Sequence, residues 1–298
     1  SAASDVYKRQ SAFCGFYVSR ADADLYNQSS QVALVRKGNR TVITMANDYK
    51  GDLKEFALVI PVPTVVSKRE VKVVEKSLLD HLDGYTAPRL VEYWDGDPCA
   101  PMYSKSPVLT SGIRTFGFLS RASSPRARAK ALGVTIENKF TAGEYEILVL
   151  SAKESDGLVT WLNENEYKIP SGAENVLQSY IRQQVKFFVA KVNLEKQAKS
   201  GRTWLRPIQV TFNTRKFMLP IRLGTVNANG PQDLIIFTLT PKGRVETTNY
   251  RSVKIPRDKE IPEFVKGDFG NFYRDMFERS YYKQGRTAVF TEYAWDIG

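Results

Sequence analysis

Two short runs rich in apolar and β-branched residues, Gln31 to Arg36 (QVALVR) and Arg40 to Met45 (RTVITM), flank Lys37-Gly38-Asn39. Two such candidate strands on either side of a short Gly/Asn connection predict a hairpin. Phe56 to Val66 is almost continuously apolar, and Glu55–Val62 predicts a third strand after the turn signal Gly51-Asp52. Pro61 and Pro63 lie two apart, so their missing N–H groups face the same way. That predicts a sheet edge or a segment leaving the sheet. Glu70–Val74 reads as a weaker strand. Ser77 is placed to cap a helix through Leu82, with Leu78, Leu79 and Leu82 on one face.

From Asp95 to Gly133 the periodicity dissolves into turn chemistry, Asp95-Gly96-Asp97-Pro98 and Ala100-Pro101, followed by a Ser-, Pro-, Gly- and Arg-rich stretch. It resumes at Glu144–Ser151 (EYEILVLS), a strand. A helix over Asp156–Asn163 follows, with Leu158, Trp161 and Leu162 inward. Ser171-Gly-Ala-Glu174 has the spacing of a capping box, and Ala173, Val176, Leu177, Tyr180 and Ile181 trace one helical face behind it. Lys186–Val192 (KFFVAKV), Leu205–Phe212, Asp233–Thr240 and Arg244–Asn249 predict strands, the last two joined by the turn Pro241-Lys242-Gly243. Phe269, Phe272, Tyr273, Met276 and Phe277 mark a late helix, and Thr287–Tyr293 a closing strand.

The expected fold is α+β, with a β-rich first half of antiparallel hairpins and a mixed α/β second half. Residues 11–104 form the first part, 105–133 a loop or linker and 134–298 the second, unless all belong to one continuous domain. Ser1–Gln10 (SAASDVYKRQ) resembles the translation of a transposase-type sequencing adapter and is not expected to belong to the fold.

The 298 residues are 42% hydrophobic and 25% charged, the balance of a globular chain able to bury a sizeable core. The Phe56–Val66 run is about half the length of a membrane span. A net charge of +11 favours polyanions: nucleic acid, anionic lipid headgroups or acidic cell-wall polymer. Two stretches concentrate it. Arg121, Arg126, Arg128 and Lys130 lie in the irregular region. Lys186, Lys191, Lys196, Lys199, Arg202 and Arg206 follow the second helix with only Glu195 opposing. From these, Arg121, Arg126, Arg128, Lys130, Lys196, Lys199, Arg202 and Arg206 are the candidate anion-binding residues, against the alternative of a solvated face.

Catalytic chemistry has little to work with. His81 is the one histidine, too few for a multi-histidine zinc site, and reads as an exposed helix residue. Gly224–Pro231 has neither P-loop nor dinucleotide spacing and reads as a structural turn. No metal or cofactor is expected. Cys14 and Cys99 are either one disulfide, which closes a loop of about 85 residues and stabilises by roughly 4 to 5 kcal/mol, or two separate thiols.

Several segments carry a resemblance: Phe13-Cys14-Gly15-Phe16-Tyr17-Val18, Thr44–Tyr49 (TMANDY), Phe56–Pro63 (FALVIPVP), Ala87–Tyr93 (APRLVEY), Val226–Leu234 (VNANGPQDL) and Thr291–Asp296 (TEYAWD). The chain resembles the bacterial domain-of-unknown-function family 2330 over nearly everything from Ser11 onward. The resemblance implies an exported protein whose leader ended just before Phe13 and whose native chain runs past Gly298, with further cysteines. The family brings no established activity. The expectation is therefore a non-catalytic envelope or periplasmic protein that binds an anionic partner or another protein. An envelope hydrolase with a site assembled from distant residues is the alternative, and nucleic-acid binding a second.

Overall fold

The hairpin predicted around Gly38 forms, and the strands it pairs set one of two stacked sheets. The computed structural model describes residues 16–19, 29–47, 56–91, 131–167, 169–170, 172–193, 196, 205–227, 232–256 and 259–296. The chain divides into two compact units. The larger comprises Ser1–Thr86, Pro125–Val245 and Trp295–Gly298, the smaller Ala87–Ser124 and Glu246–Ala294.

Among the described residues of the larger unit the strands are β1 (Phe16–Ser19), β2 (Ser29–Lys37), β3 (Arg40–Asn47), β4 (Phe56–Val62), β5 (Val71–Val73), β6 (Val134–Ala142), β7 (Tyr145–Ala152), β8 (Lys186–Val192), β9 (Ile208–Asn213) and β10 (Asp233–Leu239). They make two five-stranded sheets, in the orders β1-β4-β8-β7-β6 and β10-β2-β3-β9-β5. Each sheet takes strands from both sides of residues 105–133. The helices described over their whole length are α1 (Ser77–Thr86), α2 (Ser155–Glu164) and α3 (Ala173–Ile181).

Side-chain alternation dictates the stacking. In β4, Phe56, Leu58, Ile60 and Val62 join Phe188, Ala190 and Val192 of β8 in a core shared with Val32, Leu34, Ile43, Met45, Val210 and Phe212 of the other sheet. The intervening Ala57 and Val59, with Phe187 and Val189, bury against Leu158, Trp161, Leu162, Leu177 and Tyr180 of α2 and α3. On the far side, Leu79 of α1 covers Ala33 and Phe237. The order of layers is helix, sheet, sheet, helices. β4 is buried along its whole length because both its faces are covered, so its apolar run is continuous. The fold class is α+β, as the sequence predicts.

Several elements differ from expectation for identifiable reasons. β4 is flanked by β1 and β8 and is not an edge strand. Pairing with β1 ends at Val59, however, so Pro61 falls where β8 is its one neighbour among the described residues. A missing donor is tolerated there. β6 went unpredicted because a bulge between Ile136 and Asn138 breaks its alternation. Val134 and Ile136 face the helices, and beyond the bulge Phe140 and Ala142 face the other sheet. Leu78 is exposed, since the covered face of α1 follows Leu79 and Leu82.

The capping box expected at Ser171 and Glu174 is described only in part. Gly172, at φ +85°, is the N-cap and gives no side-chain cap, Ser171 lies outside the described residues, and Glu174 turns to Asp156. Arg244–Asn249 forms no strand. Thr247 Oγ1 donates instead to the Tyr250 carbonyl (2.8 Å), a local bond that competes with ladder pairing.

The smaller unit pairs β11 (Arg251–Lys254) with β12 (Ala288–Thr291) in parallel and adds α4 (Phe269–Lys283). The predicted stripe on α4 is half-buried. Phe277 meets Phe290 of β12 at 4.8 Å between ring centres, and Tyr273 donates to Glu292 Oε1 at 2.6 Å.

Candidate functional site: a basic sheet end

Where β2 turns into β3, Lys37 and Arg40 are register partners across a two-residue turn, with Gly38 at φ +57°. Arg40 is in turn the partner of Asn213, the last residue of β9. The chain leaves β9 as Thr214-Arg215-Lys216-Phe217, directly beside the hairpin tip. Two stretches of sequence, Ser29–Asn47 and Leu205–Asn227, therefore meet at one end of the sheet, and neither contains an acidic residue. Lys37, Arg40, Arg215 and Lys216 are all exposed there, and no ion pair engages them among the described residues.

Arg36 builds the platform. Its side chain lies on the opposite face of β2 from Lys37 and reaches under the tip. Nη1 donates to the Asn39 carbonyl (3.2 Å) and Thr41 Oγ1 (2.7 Å), and Nη2 to the carbonyls of Thr214 (2.8 Å) and Arg215 (3.3 Å). The Thr214 N–H donates back to the Asn39 carbonyl at 2.9 Å. Phe217, 37% exposed, lies under the same guanidinium, 5.5 Å from its ring centre. The four outer cations thus project from a pinned turn and loop. Their convergence is invisible in sequence, because hairpin and loop lie 178 residues apart. The one legible signal was the pair of acid-free basic clusters, RKGNR and TRK.

Arg206 stands at the other end of β9 and holds the chain's own carboxylate. Its Nη2 and Nε donate to Glu144 Oε2 at 2.6 and 3.1 Å, and its backbone N–H to Glu144 Oε1 at 3.1 Å. Glu75 adds a longer contact of 3.7 Å, and the Tyr145 hydroxyl donates to the Arg206 carbonyl at 2.7 Å. The hydrogen bond to Glu144 raises the guanidinium pKa above its ordinary value against the opposing cost of burial, and the charges of Glu144 and Glu75 add to it. Glu144 sits in the β6–β7 turn of one sheet and Arg206 at the start of β9 in the other, so the pair ties the two sheets together. Gly143 at φ +54° makes room for it: a Cβ there would meet Arg206 Nη2 at 2.8 Å.

A carboxyl pair joins α2 and α3. Glu174 is exposed, and its pKa is raised from 4.5 by a hydrogen bond with Asp156, by that residue's charge and by slight desolvation. The folded chain thus keeps this proton to higher pH than the unfolded chain does. From about pH 4.5 up to the raised native value, folding takes up a proton, so stability falls as pH rises through that window. Glu174→Gln is expected to flatten this fall, as read from melting temperatures between about pH 4 and 7.

Of the residues singled out in the sequence, Lys196 is exposed and its backbone N–H donates to Asn193 Oδ1 at 3.0 Å. Arg121, Arg126, Arg128, Lys130, Lys199, Arg202, Cys14 and Cys99 lie outside the described residues. His81 is exposed on α1. Among the described residues, no group of three His, Cys, Asp or Glu is placed to hold a metal, and no helix is long and apolar enough to cross a membrane.

Residues 8–298 match the model of a family described as an uncharacterized protein conserved in bacteria (DUF2330). The chain belongs to this family. Membership spans both structural units and every strand and helix above, so the basic sheet end and the Glu144–Arg206 tie lie within the family region. No curated protein and no solved structure matches the chain.

Proposed function

We propose that this family member is a non-catalytic extracytoplasmic binding protein whose partner is an extended anion, met by the basic sheet end. The observation behind the reading is the convergence of Lys37, Arg40, Arg215 and Lys216 from two acid-free stretches onto one pinned edge. A net charge of +11 steers anions toward the molecule, and the local cluster gives them a place to dock. The extracytoplasmic assignment rests on the family resemblance of the opening Phe13–Val18 segment to exported proteins. An exposed His81 lends the hydrolase alternative no support.

Binding of inorganic polyphosphate, followed by fluorescence anisotropy between about 50 and 200 mM salt, tests the reading. The wild-type protein is expected to bind with affinity that falls steeply as salt rises. The variant carrying Lys37→Gln, Arg40→Gln, Arg215→Gln and Lys216→Gln is expected to lose on the order of a hundredfold at low salt with an unchanged melting temperature. Equal binding by the two proteins sinks the proposal.

A further inference from the structure

Resting on that reading, we infer that the extended anion is the surface of an anionic phospholipid membrane, met by the hairpin tip and the loop that follows β9. The first argument is shape. A small anion is held by donors that converge into a recess. Here the cations stand on a two-residue turn and on the adjoining loop, all of them exposed. Arg36, the guanidinium turned inward at this end, is already engaged by Asn39, Thr41, Thr214 and Arg215. Exposed charges set on two neighbouring segments suit a broad anionic surface.

The second argument is chemistry. Phe217 follows Arg215 and Lys216 directly, with Arg36 over its ring and 37% of its surface exposed. An aromatic ring held among cations suits the headgroup boundary of a bilayer, where the charges meet phosphates and the ring meets the acyl region. A soluble polyanion uses the charges and leaves the ring in water. Arg36 meanwhile fixes both segments through backbone carbonyls, so little ordering of the tip remains to oppose binding.

Each lysine or arginine near an anionic membrane strengthens binding roughly fivefold, so four give a reversible peripheral attachment and not an anchor. Co-sedimentation of the intact chain with phosphatidylglycerol–phosphatidylcholine vesicles, against pure phosphatidylcholine vesicles, reads the effect directly. Binding is expected on the anionic vesicles alone and is expected to fall with salt. Lys37→Gln with Arg40→Gln should weaken it about twenty-five-fold. Phe217→Ser should weaken vesicle binding several-fold and leave polyphosphate binding unchanged, the readout that separates membrane from soluble polymer. Melting curves confirm that the exposed substitutions leave the fold intact. Binding to polyphosphate or to single-stranded DNA without binding to anionic vesicles overturns the membrane inference and leaves the anion-binding reading standing. Binding to none of these probes overturns both.

Discussion

Arg206→Ala is expected to lower the free energy of unfolding by about 3 kcal/mol. The Glu144 side chain is 4% exposed and relies on Arg206 for its charge partner. Truncation leaves it the Arg206 backbone N–H, which continues to donate to Oε1 but brings no positive charge. Breaking a buried pair on one side typically costs about 3 to 5 kcal/mol, and because the Arg206 side chain is 24% exposed the lower end applies. Removing both charges is a different experiment. Arg206→Met with Glu144→Leu leaves no orphaned carboxylate and is expected to unfold within about 1 kcal/mol of the wild type. Urea unfolding of the wild type, the two single variants and the pair measures the coupling. A loss below about 1 kcal/mol for Arg206→Ala would mean that the tie does not hold the two sheets at this end.

Gly157→Ala pits two effects of opposite sign against each other. Gly157 lies in the first turn of α2, where alanine is favoured over glycine by about 1 kcal/mol on helix propensity alone. A Cβ at that position, however, overlaps the backbone carbonyl oxygen of Leu132, just before β6. A carbonyl of the main chain cannot swing aside as a flexible side chain does, so α2 or the start of β6 must move. Overpacking of this kind costs about 1 to 3 kcal/mol, and against rigid backbone the upper value applies. The net expectation is a loss of about 2 kcal/mol. Gly84→Ala supplies the contrast. Gly84 is exposed in α1 with nothing within 4 Å of an added Cβ, so propensity acts alone and a gain of about 0.5 to 1 kcal/mol is expected. Melting curves of the two variants should therefore move in opposite directions. A stabilised Gly157→Ala would show that α2 does not rest on Leu132.

Elements whose periodicity comes from their own burial were legible. Lys186–Val192 forms β8 with the bounds its apolar run predicts, because five of its seven residues are buried. Leu158, Trp161 and Leu162 face inward from α2 as their spacing requires. Legibility fails where a local rule is overridden from a distance. The bulge before Asn138 hid β6, since one extra residue exchanges its two faces midway and no single alternation survives. Pro61 and Pro63 point to a sheet edge or to a segment leaving the sheet; β4 ends at Val62, just before Pro63, and what matters for Pro61 is how far β1 extends beside it.

The candidate site divides in the same way. Sequence alone determined the excess of cations, the absence of acids from Ser29–Asn47 and Leu205–Asn227, and the tight turn at Gly38 that exposes Lys37 and Arg40. Only the tertiary structure decided which cations share a surface. Arg206 has the composition of an anion binder, but the meeting of the two sheets presents it with Glu144 and occupies its guanidinium. Arg215 and Lys216 join Lys37 and Arg40 because β3 pairs with β9. Charge is a property each residue carries with it, whereas its partners depend on contacts between distant segments, 62 residues apart for Glu144 and Arg206 and 178 for Arg36 and Thr214, which no local pattern encodes.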